Sequence, residues 1–146
     1  MTRSGSRIEG HSLSDGVAEG ELVVLAAPLS FWGGMDPSSG RIIDRRHPQW
    51  GLALSGKIVA MPAGRGSSSS SSVLAEAIRT GSAPTGLILC QPDGIVALGA
   101  IVAVELYGRE CPVVCLAVAD YAALRAGRRT RIVASDERGV VDFYDP

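Results

Sequence analysis

Between Lys57 and Gly81 a β-branched apolar run, a glycine loop, six consecutive serines and an amphipathic pattern follow one another without interruption. Lys57-Ile58-Val59-Ala60-Met61 reads as a strand, and Val73, Leu74, Ala77 and Ile78 recur at i, i+1, i+4 and i+5. That recurrence is one apolar face of a helix, which Gly81 ends. The connection is Pro62-Ala63-Gly64-Arg65-Gly66 and then Ser67 to Ser72. Glycines there let the backbone approach a ligand closely, and the first N–H groups of the helix, lacking intrahelical partners, point outward and can hold an anion. A carboxylate or phosphate is the expected guest. Gly/Ser tracts are commonly flexible spacers. This one separates a strand from a helix, with apolar segments on both sides, which favours a functional loop.

The rest of the chain continues the alternation. Leu22 to Ala27 is a continuous apolar run suited to a strand buried on both faces, stopped by Pro28. From Leu29 to Gly56 glycine, proline, aspartate and aromatic residues are dense, and Phe31, Trp32 and Trp50 mark this as a long ordered loop. Gly86 to Cys90 and Pro112 to Leu116 are strand candidates. Asp93 is placed to cap a helix within Gly94 to Tyr107, where strand and helix both fit the pattern. Asp120 to Ala126 reads as a short helix closed by Gly127, and Thr130 to Ala134 and Val140 to Tyr144 as closing strands. The expected fold is a mixed α/β domain, with a mixed sheet or partly closed barrel and flanking helices. Residues 1–12, polar and rich in glycine and serine, read as a flexible tail, and residues 13–146 as a single domain.

Composition narrows the partners. A length of 146 residues suits one domain with a core that needs no disulfide or structural metal. A net charge of -1 supplies no reason to expect nucleic acid or an anionic membrane. The apolar runs Leu22 to Leu29 and Ile95 to Val104 fall well short of the roughly 20 residues that cross a bilayer, and a cytoplasmic protein is expected. Cys90, Cys111 and Cys115 form no CxxC pair and read as reduced thiols, so no metal is expected on this chain alone. Thirteen arginines stand against the single Lys57, a bias of GC-rich genomes that hints at a bacterial source.

Other motifs fail on inspection. Gly51 to Lys57 nearly matches a phosphate-binding P-loop, but Ile58 replaces the magnesium-binding hydroxyl and a strand follows. Gly64-Arg65-Gly66 begins a dinucleotide fingerprint without its third glycine, and no Gly-x-Ser-x-Gly elbow exists. His11 and His47 lack metal-ligand spacing. Asp36 and Asp44 fit turns beside glycine and proline. Phe31-Trp32 suits either a satellite core or a substrate wall.

Six blocks together carry a family resemblance: Pro28 to Asp36, Gly40 to Pro48, Gly56-Lys57, Gly64 to Ser69, Gly81 to Pro84, and Leu98 to Ala103. They resemble the swivel-domain small subunit of aconitase X. The resemblance implies a swivelling β/β/α domain docked on a large subunit, which carries the iron or iron–sulfur cluster. It also implies a hydro-lyase, active only with that partner, acting on a small-molecule carboxylate. The expected reaction is dehydration of cis-3-hydroxy-L-proline to Δ1-pyrroline-2-carboxylate, with phosphomevalonate dehydration as the alternative. By the superfamily's Gly-x-Gly-Ser-Ser pattern, Ser67 is the base that takes the α-proton, with Arg65, Gly66 and Ser68 beside the substrate; Phe31 and Trp32, read above as a satellite core or a substrate wall, are the further binding candidates. Which serine of the run is the base stays open, since a later one serves equally if the helix begins elsewhere. The superfamily arginine two positions after the catalytic serine is Ser69 here, so that arginine's carboxylate contact does not carry over. A remaining alternative is a non-catalytic module of the phosphohistidine-carrier kind, for which His47 is the candidate residue.

Overall fold

The computed structural model describes residues 5–64 and 69–144. Among them the elements run β1 (Gly5–Ser14), β2 (Gly16–Val24), α1 (Phe31–Gly34), β3 (Ile58–Met61), α2 (Ser69–Thr80), β4 (Gly86–Leu89), α3 (Gly94–Tyr107), β5 (Val113–Cys115), α4 (Val118–Ala122), β6 (Arg129–Ser135) and β7 (Arg138–Tyr144). Strands β2, β3, β4 and β5 lie side by side in parallel. Strands β6, β7 and β1 complete the mixed sheet through antiparallel pairs, and because β1 pairs with both β7 and β5 the strands form a ring.

The central strands are apolar throughout because both of their faces are covered. Every residue of β3 and β4 is buried. Leu22, Ile58, Ile88, Val114, Ile132 and Phe143 come from six different strands and meet in one cluster, which places it inside the ring. The alternate residues Val59, Met61, Leu87 and Leu89 face outward and join Leu74, Ile78, Val96 and Ala100 beneath α2 and α3. Burying a side chain of this size contributes roughly 1.5–3 kcal/mol, so the two clusters dominate the stability.

The segment that fits both strand and helix in sequence, Gly94–Tyr107, is helix. Asp93 caps its start, and Gly108, left-handed at φ 64°, ends it by donating its N–H to the Val104 carbonyl. Gly99 allows α3 to approach α2, since a Cβ there would stand 2.8 Å from the Ser71 carbonyl oxygen.

The start of the chain corrects one expectation. From Gly5 onward residues 1–12 are not a loose tail but strand β1, paired with β7 from Gly5↔Tyr144 to His11↔Arg138. Their small residues serve close packing: a Cβ at Gly10 would collide with the Cys115 carbonyl. Arg7 adds a 2.7 Å ion pair to Asp142 across the same seam. Strand β2 likewise starts at Gly16, ahead of the apolar run at Leu22, because its first inward positions are the small Gly16, Ala18 and Gly20. The last short helix is Val118–Ala122 rather than Asp120 to Ala126. No helix among the described residues is long and apolar enough to cross a membrane.

Candidate functional site at the carboxyl ends of the parallel strands

Four parallel strands send their following loops out at the same end of the sheet, the end at which open α/β sheets bind ligands. The loops after β2 and β3 are tied together by a bridge between Leu29 and Gly64. The loop after β4 ends at Asp93, whose Oδ1 accepts from the N–H groups of Ile95 at 2.9 Å and Val96 at 3.1 Å. Gly64 packs directly on this carboxylate, so the last described residue before the serine loop rests on the first turn of α3.

Arg65, Gly66, Ser67 and Ser68 lie outside the described residues. The remainder of the serine run divides by helical spacing. Ser69 and Ser72 are exposed, whereas Ser70 and Ser71 are buried. The Ser71 hydroxyl donates to the Ile95 carbonyl at 2.7 Å, tying α2 to α3. Ser70 Oγ lies 3.1 Å from Ser30 Oγ and accepts the Trp32 N–H at 3.3 Å, while the Ser30 hydroxyl donates to the Trp32 carbonyl at 2.8 Å. With the Ser30 proton so used, Ser70 donates to Ser30, and three hydrogen bonds form a closed cycle. Ser70 and Ser71 are thereby committed to the scaffold, which leaves Ser67, Ser68, Ser69 and Ser72 as the run's candidates for chemistry.

The two aromatic candidates separate. Phe31 is 1% exposed and belongs to the core beneath α2, so it is no substrate wall; Trp32 is 61% exposed. Extended Trp32 and left-handed Gly33 interrupt the short turn α1 and throw the indole outward. The remaining loop residues shape turns. Asp36 accepts from the Ser38 N–H and hydroxyl, which hold its carboxyl below the usual range. Asp44 accepts from the Arg46 N–H, and the Arg45 guanidinium lies 5.6 Å from the Trp50 ring centroid.

His47 is 6% exposed, with Nε2 3.1 Å from the Ala27 carbonyl and Nδ1 accepting the Gln49 N–H at 3.0 Å. Nδ1 accepts, so Nε2 carries the proton and donates. A ring with both nitrogens engaged inside the protein is not placed to carry a phosphoryl group. Among the described residues no grouping of three or more His, Cys, Asp or Glu is placed to hold a metal ion. Two cavities, of about 330 and 420 Å3, open at the opposite end of the parallel strands; Glu110 lines both and Arg109 the first.

The strand ring, its flanking helices and a serine run leading into α2 define a mixed α/β domain. The chain belongs to the aconitase X swivel domain family, whose model matches residues 7–142. It is 53% identical over 105 residues to a cis-3-hydroxy-L-proline dehydratase of Pseudomonas aeruginosa, a match that covers 72% of this chain and 18% of that protein. It is 38% identical over 137 residues to a phosphomevalonate dehydratase small subunit of Pyrococcus furiosus, covering 94% of this chain and 95% of that one. The crystal structure of Thermococcus kodakaraensis aconitase X in its holo-form superposes with a TM-score of 0.80 at 31% identity, over 93% of this chain and 98% of that chain. The chain spans only about a fifth of the length of the first dehydratases it matches, 18% and 22%.

The sequence singles out the serine run and Trp32, but it gives no sign of the Ser30–Ser70 contact or of the contact of Asp93 with Gly64. Both are contacts between segments far apart in sequence, and no local pattern marks them.

Proposed function

We propose that this chain is the swivel part of an aconitase X-type hydro-lyase, in which Ser67 is the base that removes the proton from the substrate's α-carbon. The observation that carries the reading is the match to the family model over residues 7–142, which spans the serine run, together with dehydratase relatives that match 72% and 94% of this chain. In the elimination Ser67, as alkoxide, takes the α-proton, the C–H electron pair becomes the C=C bond, and the neighbouring hydroxyl departs with the C–O electron pair as hydroxide. The proton held by Ser67 then passes to it, directly or through solvent, so that water leaves and the alkoxide is restored. A serine hydroxyl ionises far above neutral pH and needs activation. Arg65 and the backbone N–H groups entering α2 supply positive potential for the oxyanion, and docking on a partner strengthens it by excluding water. Trp32, exposed in the loop after β2, offers the substrate an apolar wall.

The family resemblance assigns an iron or iron–sulfur centre to the larger chain, where it would supply Lewis acidity for the departing hydroxyl. The described residues here do not form a ligand set for such a centre. The partner in this proposal is therefore the large aconitase X chain, and this chain alone is inactive.

Two substrates have support of different kinds. Phosphomevalonate is favoured by architecture, because small subunits from several archaea match nearly end to end, over 95%, 92%, 99% and 98% of their lengths. cis-3-Hydroxy-L-proline, the expectation from sequence, is favoured by identity, at 53% and 43%, against longer proteins. The coverage backs phosphomevalonate at least as strongly. The deciding experiment assays both substrates with this chain reconstituted with its larger partner, wild type against Ser67→Ala. Turnover lost in an assembled Ser67→Ala complex supports the base assignment, and turnover of neither substrate by the wild-type complex removes the hydro-lyase reading.

A further inference from the structure

We infer that Ser70 is a positioning residue: with Ser30 it latches the Trp32 segment to the start of α2, so that the exposed indole is held in one preset orientation for the substrate. The catalytic consequence rests on the hydro-lyase reading, but the latch itself does not.

Residues Phe31–Gly34 attempt a helical turn, yet Trp32 is extended at φ -84° and ψ 115°, and Gly33 is left-handed at φ 78°. Helical hydrogen bonds therefore do not hold the Trp32 peptide groups. The two serine hydroxyls take their place, since Ser70 Oγ accepts the Trp32 N–H and Ser30 donates to the Trp32 carbonyl. A Cβ on Gly33 would meet nothing within 4 Å, so the residue that could pivot the indole stands in open space. Ser70 is 3% exposed, and a buried hydroxyl is held in place only where it is hydrogen-bonded. Its partner Ser30 is 40 residues away in sequence, so the cycle joins the loop after β2 to the helix after β3. Helical spacing explains why it is Ser70 that turns inward while Ser69 and Ser72 stay exposed.

The test uses two readouts. The first is steady-state kinetics of the complex with the larger partner, for wild type, Ser30→Ala, Ser70→Ala and the double variant. Each single change is expected to lower kcat/KM about tenfold, mostly through KM because Trp32 binds rather than reacts. The double variant should be no worse than either single, as expected for two groups in one network. The second readout is Trp32 fluorescence anisotropy and acrylamide quenching of this chain in a Trp50→Phe background, where Ser70→Ala should lower anisotropy and raise quenching.

Unchanged anisotropy and quenching overturn the latch whether or not the complex turns over either substrate. A freed Trp32 with undiminished kcat/KM, or single-variant losses that simply add in the double variant, overturns the positioning role and leaves the hydro-lyase reading standing. A wild-type complex inactive on both substrates sinks that reading instead, and fluorescence alone then decides the latch.

Discussion

Gly64 lies against Asp93 with no room for a β-carbon: a methyl group at position 64 would collide with the carboxylate and stand 2.7 Å from Val96 Cγ2. The same carboxylate caps α3, so it cannot move aside without freeing the N–H groups of Ile95 and Val96. The seat of the serine loop and the start of α3 are thus one packing unit.

Gly64→Ala should accordingly cost about 1–3 kcal/mol of stability, the usual penalty for overpacking a closed site. It should also depress turnover of the complex, because Ser67, the proposed base, follows Gly64 by only three residues in the chain. Urea denaturation checks the first expectation and the dehydration assay the second. A variant as stable and active as wild type would show that the loop and α3 are not coupled here.

The tight turn between β6 and β7 carries avoidable strain. Asp136 and Glu137 are both left-handed, at φ 52° and 68°, between the paired residues Ser135 and Arg138. Two-residue hairpin turns of this kind favour Asn-Gly or Asp-Gly, and a side chain in the left-handed region costs roughly 1–2 kcal/mol. Glu137→Gly should therefore raise stability by about 0.5–1 kcal/mol after the entropy of the added glycine is counted. A thermal melt showing a lower midpoint would contradict this.

The sequence reading succeeded where one local pattern decided the outcome. Strands β3 and β4 are buried on both faces and so are unbroken apolar runs, and Gly81, left-handed at φ 82°, closes α2 where the apolar face stops. It failed where burial is achieved by small residues. The inward side of β2 begins with Gly16, Ala18 and Gly20, and β1 has Gly10 against a neighbouring carbonyl, so hydropathy alone does not reveal these strands. At the site, the serine run and Trp32 were legible as residue types on a loop. The burial of Phe31 was not, because a Phe-Trp pair on an irregular turn has no periodicity to say which ring faces inward. The Ser30–Ser70 cycle depends on the loop after β2 meeting the start of α2, information held in the sheet order and absent from either segment.

Cys111 links pH to stability. Full burial pushes its thiol from an ordinary value of 9.0 up to about 12, while in the unfolded chain it titrates near 8.5. Below pH 8 both states are protonated and the group has no effect. Between about pH 9 and 12 the native state keeps a proton that the unfolded chain has released, so stability falls as pH rises. Replacing the thiol should flatten this fall, which urea midpoints of wild type and Cys111→Ala from pH 8 to 11 would reveal. Parallel slopes would rule out Cys111 as the source.

The serine run should divide by function along the helix. Ser71 donates to the Ile95 carbonyl from a buried position, so Ser71→Ala should cost about 1 kcal/mol, the typical net value of such a bond. Ser72 is exposed, and Ser72→Ala should leave stability within about 0.5 kcal/mol of wild type. Ser67→Ala should lower kcat of the assembled complex by at least about 100-fold, the scale of a lost proton-transfer group. The three together separate scaffold from chemistry: denaturation should single out Ser71, and kinetics Ser67. If Ser72→Ala abolished turnover while Ser67→Ala retained it, the base would lie one helical turn or more beyond the superfamily position. The helix face carrying Ser69 and Ser72 would then be the face that meets the substrate.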